Sequence, residues 1–408
     1  MKEAMEIIQT TDFWGARIAN PLPVVLVKGE GVWVTDVEGN RYMDMLAGFS
    51  VLNQGHRHPH IISALVEQAQ KLTLTSRSFY NDQTGAFFKK ICELSGFEKV
   101  LPMNTGAEAV ETAIKAARKW ALTVKGIPEN QAEIIVCANN FAGRTITLIS
   151  FSTVQQYQHG FGPLTPGFVI VPYGDAVALE EAITPNTAAV LLEPIQGEGG
   201  IIVPPAGYLR QVRDITQKHG TLMVLDEVQT GFGRTGRLFA HQHEGIKPDI
   251  LVVGKALGGG VYPVSAILAD DAIMSVFAPG DHGSTFAGNP LAAAVGLAAM
   301  EVIIDEKLSE RSAELGDYFM EKLLEIDSPY VREIRGKGLF IGVEIKPESG
   351  YARYFCEKLL QKGILCKDAH QQVIRFAPPL VITKEELDWA LEIIQEVLTE
   401  PLYCNNKG

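Results

Sequence analysis

The chain has 408 residues, of which 46% are hydrophobic and 21% charged, with a formal net charge of −12. Such a length predicts two or three domains with ample apolar material for a core. The acidic balance argues against a duplex nucleic-acid binder, which needs a basic face, but leaves room for a local basic pocket.

The N-terminus, MKEAMEIIQTTDFWG, lacks the apolar core and small-residue cleavage site of a secretory signal. No stretch reaches the ~20 apolar residues of a membrane span. Cys92, Cys137, Cys356, Cys366 and Cys404 are scattered and odd in number, without C-x-x-C spacing. They read as reduced thiols of a cytoplasmic protein rather than a disulfide framework or a zinc site.

In chain order, GVWVTDVEGNRYMDML predicts two strands about a corner at Glu38-Gly39-Asn40. Helical apolar spacing runs from His60 to Lys71 and from Ala107 to Trp120. The middle of the chain alternates helices with the strands EIIVCA, AAVLLEP, LMVLDE and DILVVGK, whose unbroken apolar runs fit burial on both faces. A helix from Tyr208 to His219 stops at Gly220. The expected fold class is α/β: a large, mostly parallel sheet with helices on both faces. From Leu308 the pattern turns to a long helix, strands and a last helix opened by the Thr383/Glu386 capping box. The expected division is a large α/β domain over 51–307 and a small α+β domain over 308–408, joined by the N-terminal segment 1–50.

Ligands of such sheets bind beyond the carboxyl ends of the strands. Glu193, Asp226 and Lys255 stand there, and Gly106 and Ala107 open a helix with free N–H groups suited to an anion. Lys255 lies between an apolar strand and a glycine run, which would desolvate its amine for Schiff-base chemistry. Taken singly, it reads first as a solvated loop lysine, with Asp226 an acidic loop residue or cap and Thr105 an ordinary helix cap. Together, a carboxylate and a lysine about thirty residues apart can address two sides of a pyridoxal phosphate ring. Ser284 and Thr285 could add hydroxyl donors to its phosphate. Arg144 and Arg375 are candidate carboxylate receptors, and Glu198 a partner for one of them.

Two other motifs invite different chemistry. Gly231 to Gly236 matches G-x-G-x-x-G, yet the stretch RLFAHQHEGIKPD beyond it has poor helical periodicity, against a dinucleotide site and a nicotinamide oxidoreductase. His56-Arg57-His58-Pro59-His60 resembles a metal cluster, but the ligand set is incomplete and a turn with a helix start accounts for it; no metal is expected.

Long motifs carry a resemblance over nearly the whole chain: NQGHRHP, KLTLTSRSFYN, LPMNTGAEA, FGPLTPGF, EPIQGEGG, DEVQTGFGRTGR, PDILVVGKALGGGVYPVSA and HGSTFAGNP. The chain resembles the class III (subgroup II) aminotransferases of the fold-type I pyridoxal-phosphate enzymes, and within them the ornithine δ-aminotransferases. That resemblance implies that Lys255 holds the cofactor and shuttles the proton, that Asp226 pairs with the ring nitrogen, and that Gln229 bonds the phenolic oxygen. It implies that Phe141 and Val228 sandwich the ring, that Gly106 and Ala107 bind the phosphate, and that Glu193 lies near the cofactor. Thr285 would reach the phosphate of the neighbouring subunit, making a homodimer the minimum active unit. Arg375 would bind the α-carboxylate of 2-oxoglutarate or glutamate, with Glu198 covering it while a diamino acid binds, and Arg144 would take the remote carboxylate. The implied reaction is ornithine:2-oxo-acid δ-transamination.

The chain departs from the pattern twice. Gly15-Ala16-Arg17-Ile18-Ala19 stands where ornithine aminotransferases have G-A-H-N-Y, so Ala19 replaces a substrate-contacting tyrosine, and Phe49 replaces a second one. Both changes delete a hydroxyl, which bears on specificity more than on mechanism. Lysine, acetylornithine, 4-aminobutyrate or a diamine as donor therefore stay as alternatives, as does an amino-acid racemase or epimerase of this fold.

Overall fold

The computed structural model describes residues 2–401, so Cys404 lies outside the described residues. Its centre is a seven-stranded sheet. In spatial order the strands are Lys99–Met103, Ser265–Ala269, Ile250–Val253, Leu222–Asp226, Thr187–Leu192, Glu133–Cys137 and Phe168–Val171. Ser265–Ala269 runs antiparallel to both its neighbours, and the remaining pairs are parallel. The four apolar strands anticipated from sequence are the sheet's middle; its two edges and Ser265–Ala269 were not anticipated.

Residues two apart in a strand share a face. Ile135, Cys137, Val190, Leu192, Met223, Leu225, Leu251 and Val253 join one hydrophobic cluster. Ile134, Val136, Ala189, Leu191, Leu222, Val224, Ile250 and Val252 join another, with Ala109, Val110, Ala113 and Ala117 of the helix Gly106–Trp120. The same alternation carries Glu193 and Asp226, the next residues in phase, onto the face that this helix covers.

Helix Gly106–Trp120 begins where its caps dictate. Thr105 accepts from the backbone N–H of Glu108, whose carboxylate in turn accepts from Thr105 N–H at 2.9 Å. The box settles two donors and leaves the first-turn N–H groups of Gly106 and Ala107 aimed outward at the end of the sheet. The capping box at Thr383 and Glu386 also forms, opening the helix Lys384–Thr399.

Both chain ends build the smaller layers. Leu26–Glu30, Trp33–Asp36 and Arg41–Asp44 form an antiparallel sheet extended by Ile364–Leu365, which pairs parallel to Arg41–Asp44. Val331–Gly336, Ile341–Ile345, Val373–Phe376 and Lys367–Ala369 make a second antiparallel sheet. No helix among the described residues is long and apolar enough to cross a membrane.

The G-x-G-x-x-G segment opens no helix. It is a buried loop whose Arg234 is fully enclosed. The guanidinium donates to Leu339 O at 2.8 Å, to Pro378 O at 2.6 Å and to the Asn53 side chain, tying three distant segments together. Arg234→Met is therefore expected to lower stability by about 3–5 kcal/mol, because it strands buried acceptors. A shifted denaturant midpoint with an unchanged slope would show this, and a loss under about 1 kcal/mol would contradict it. The three histidines face separate carboxylates: His56 with Asp44, His58 with Glu306 and His60 with Glu301, each at 2.8 Å.

Candidate active site

A cavity of about 210 Å³ opens at the carboxyl end of the central strands. It is lined by Gly106, Ala107, Phe141, Glu193, Asp226, Val228, Gln229 and Lys255, all eight anticipated, and by Ala142, Gly143, Ile195 and Thr230, which were not.

Close backbone approach builds this floor. A side chain at Gly106 would place its Cβ 3.1 Å from Val228 Cγ1, so glycine lets the helix start sit directly beside Val228. A Cβ at Gly197 would lie 1.9 Å from Gln229 Oε1, so the loop before Glu198 must be bare there for the Gln229 side chain to fit. Lys255 itself has a φ of +47°, a left-handed conformation that costs a non-glycine residue about 1–2 kcal/mol. Strain of this kind concentrates at functional sites. No sequence signal marked it beyond the flanking Gly254 and Gly258-Gly259-Gly260.

Burial controls the charges here. It pulls the Lys255 amine down to about 8, helped by Arg375 and opposed by Glu198, Asp226 and Glu193. It pushes Asp226 up to about 6, against the Val228 N–H donating to Oδ1 at 3.0 Å and the charge of Lys255. It pushes Glu193 up to about 8, reinforced by Asp226. Glu193 accepts from Phe141 N–H at 3.0 Å and from Gly197 N–H at 3.2 Å, so one carboxylate ties Phe141 to the loop that carries Glu198. Lowered lysines and raised carboxyls gathered in one cleft are what proton-transfer sites require.

Arg375 rises from the small sheet and is 1% exposed. It binds Glu198 through both nitrogens, at 2.5 and 3.1 Å. Burial alone would raise Glu198, but the Arg375 charge and hydrogen bonds, with help from Lys255 and Arg144, hold it below its ordinary value. Phe49 lies over the same guanidinium at 4.8 Å. The run Ala47, Gly48, Phe49 and Ser50 is a turn with positive φ throughout, which turns the Phe49 ring toward Arg375.

Four further candidates stand outside the cavity lining, among them Arg144, which is exposed directly after the lining residue Gly143. Ser284 accepts from Asn104 Nδ2 at 2.8 Å, beside the helix start but outside the cavity lining. Thr285 is exposed. Ala19 is exposed on the N-terminal segment and lines a separate depression with residues 7–25. Within one chain it does not join Phe49.

Over residues 14–398 the chain matches the aminotransferase class-III family. The chain belongs to the class-III aminotransferases. It is 60% identical to an ornithine aminotransferase of Brevibacillus brevis, over 98% of this chain and 99% of that one. Among solved structures it resembles an ornithine aminotransferase of Toxoplasma gondii with PLP at partial occupancy in its active site, at 47% identity and a TM-score of 0.96 over 97% of this chain and 94% of that one. It also resembles an acetylornithine aminotransferase of Elizabethkingia anophelis, at 50% identity and a TM-score of 0.89 over 97% and 98%. The chain therefore has the fold of the PLP aminotransferases and the activity class of a transaminase.

Proposed function

We propose that this aminotransferase uses pyridoxal phosphate to move the δ-amino group of ornithine to 2-oxoglutarate, giving glutamate 5-semialdehyde and glutamate. The observation that carries this reading is the pairing of buried Arg375 with Glu198 beside Lys255. A receptor for an α-carboxylate that can be covered by its own counter-ion suits an enzyme whose two substrates carry charge differently.

The lining fits the cofactor. Gly106 and Ala107 offer backbone N–H groups to a phosphate, Asp226 offers a carboxylate to a ring nitrogen, and Phe141 and Val228 supply the walls. Gln229 offers an amide to the phenolic oxygen, and Lys255 an amine to the aldehyde. When bound, pyridoxal phosphate supplies the aldehyde that condenses with primary amines and the ring that accepts the electron pair of a breaking C–H bond. The remaining work belongs to the chain. Lys255 Nζ, largely protonated at neutral pH but able to deprotonate near pH 8, takes the proton from the donor carbon and returns it elsewhere. Asp226 holds a proton on the ring nitrogen. Arg375 and Arg144 orient the dicarboxylate by its two ends, and Glu198 covers Arg375 when the donor is ornithine.

Thr285 is assigned to the phosphate of a neighbouring copy, and the unit to a homodimer. Supporting this, Trp14, Ile18 and Tyr80 are 82%, 93% and 104% exposed in the single chain, large apolar surfaces that a partner would cover. The N-terminal segment with Ala19 would then complete its site in the assembly.

Mixing the yellow holoenzyme with single amines tests the function: L-ornithine should bleach it quickly, and 2-oxoglutarate should then be converted to glutamate. No response to ornithine, with a response to another amine, would move the reading to a related donor. Ala19 and Phe49, which lack hydroxyls, favour that second reading on acetylornithine, lysine, 4-aminobutyrate or a diamine.

The pair itself gives a sharper expectation. Glu198→Ala uncovers Arg375 permanently, so glutamate should gain on ornithine as donor by at least about tenfold in relative kcat/KM. Competition between the two amines reads this out, and an unchanged ratio would exclude Glu198 as the switch.

A further inference from the structure

We propose that Tyr157 is a positioning residue that holds Arg144 ready for the remote carboxylate of the acceptor. The inference rests on the reading that Arg144 receives that carboxylate. Arg144 lies over the Tyr157 ring at 3.6 Å and over the Phe141 ring at 5.6 Å. The two rings meet edge to face, 6.4 Å apart at 82°. Among the described residues the Arg144 guanidinium makes no hydrogen bond or ion pair; its charge reaches Glu198 only through space.

This is an unusual way to hold an arginine. A carboxylate partner would fix the guanidinium but occupy the donors needed by a substrate. An aromatic face fixes the plane and leaves all five N–H groups free. Tyr157 therefore orients Arg144 at no cost in donors, and Phe141 makes the shelf continuous with the cavity wall.

The shelf is itself braced. Arg144 precedes the helix Ile146–Ser150, and Tyr157 sits on the short turn Gln155–Gln158 beyond its far end. Gln158 Nε2 donates to Ile149 O at 2.9 Å, to Ser150 O at 3.3 Å and to Ser152 O at 2.8 Å. These bonds fasten the turn to the last residues of the helix and to the chain just beyond it, where Ile149 O also accepts from Ser152 N–H at 3.1 Å. The side chain next to Tyr157 thus closes the segment, bringing its two ends face to face.

The test compares acceptors on the holoenzyme: 2-oxoglutarate, which has the remote carboxylate, and pyruvate, which lacks it. Tyr157→Leu should lower kcat/KM for 2-oxoglutarate about tenfold, through KM, with pyruvate and the amine half-reaction within about twofold. Tyr157→Phe, which keeps the ring face, should restore 2-oxoglutarate to within about threefold of the parent. Equal losses on both acceptors, or no loss, would overturn the inference. If Tyr157→Leu fails to fold, Tyr157→Met gives the same comparison. Arg144→Gln separates the two levels. If it spares 2-oxoglutarate relative to pyruvate, the reading of Arg144 falls, and Tyr157 with it. If it is selective against 2-oxoglutarate while the Tyr157 variants are not, only the role of Tyr157 falls.

Discussion

Lys255→Ala is expected to cut transamination by at least about a thousandfold while the protein still folds and still takes up cofactor. The amine lines the cavity and can shed its proton near pH 8, because burial pulls it down to about 8. Neither Glu193 nor Asp226 can replace it. Glu193 accepts hydrogen bonds from Phe141 and Gly197, and Asp226 from Val228, so both carboxylates serve as anchors. Lys255→Arg should fail as badly, since guanidinium stays protonated and cannot accept a proton. Borohydride should fix the cofactor covalently to the parent protein and not to the alanine variant. A small added amine should return part of the lost rate by occupying the vacated space. Activity within tenfold of the parent would remove Lys255 from its assigned role.

Asp226→Asn should separate activity from stability. Activity is expected to fall about 10²–10³-fold, because asparagine carries no charge to keep a proton on the ring nitrogen. The cofactor-free variant should nonetheless resist unfolding better than the cofactor-free parent. Burial first, then the neighbouring Glu227, raises the Asp226 carboxyl from 3.8 to about 6 in the folded chain. Between about pH 4 and 6 the folded chain thus binds more protons than the unfolded one, and stability falls as pH rises through that window. Above it the ionised carboxylate costs about 3 kcal/mol, which asparagine avoids. The gain should therefore be full at pH 8 and vanish below about pH 4. Equal melting of the two cofactor-free proteins at pH 8 would show that Asp226 is not strained by its surroundings. A bound pyridinium repays that strain, so cofactor should stabilise the parent more than the variant.

These two residues also show what was readable in the chain. Asp226 and Lys255 end apolar strands, and strands announce themselves by composition. Their neighbours in the cavity are less visible. Ser265–Ala269 is short and antiparallel, and its SAILA sequence carries no distinctive period. Tyr157 is a single aromatic in the stretch VQQYQHG, and only the return of Gln158 onto the preceding helix reveals what it faces. Gln229 was assigned by resemblance, whereas its dependence on a bare Gly197 is a contact between two loops far apart in sequence.

The order of apolar runs and helices, the capping boxes and the groups at strand ends are local properties, written in consecutive residues. They suffice for the α/β class, the helix start at Gly106 and the choice of Lys255 and Asp226. Distances across the chain are not local. Folding decided that Glu198 lies on Arg375, that Arg144 is shelved on Tyr157, and that Lys255 takes a left-handed backbone. Folding also enclosed the charges: burial, a property of the packed whole, is what brings the lysine down to about 8 and raises the carboxyls beside it.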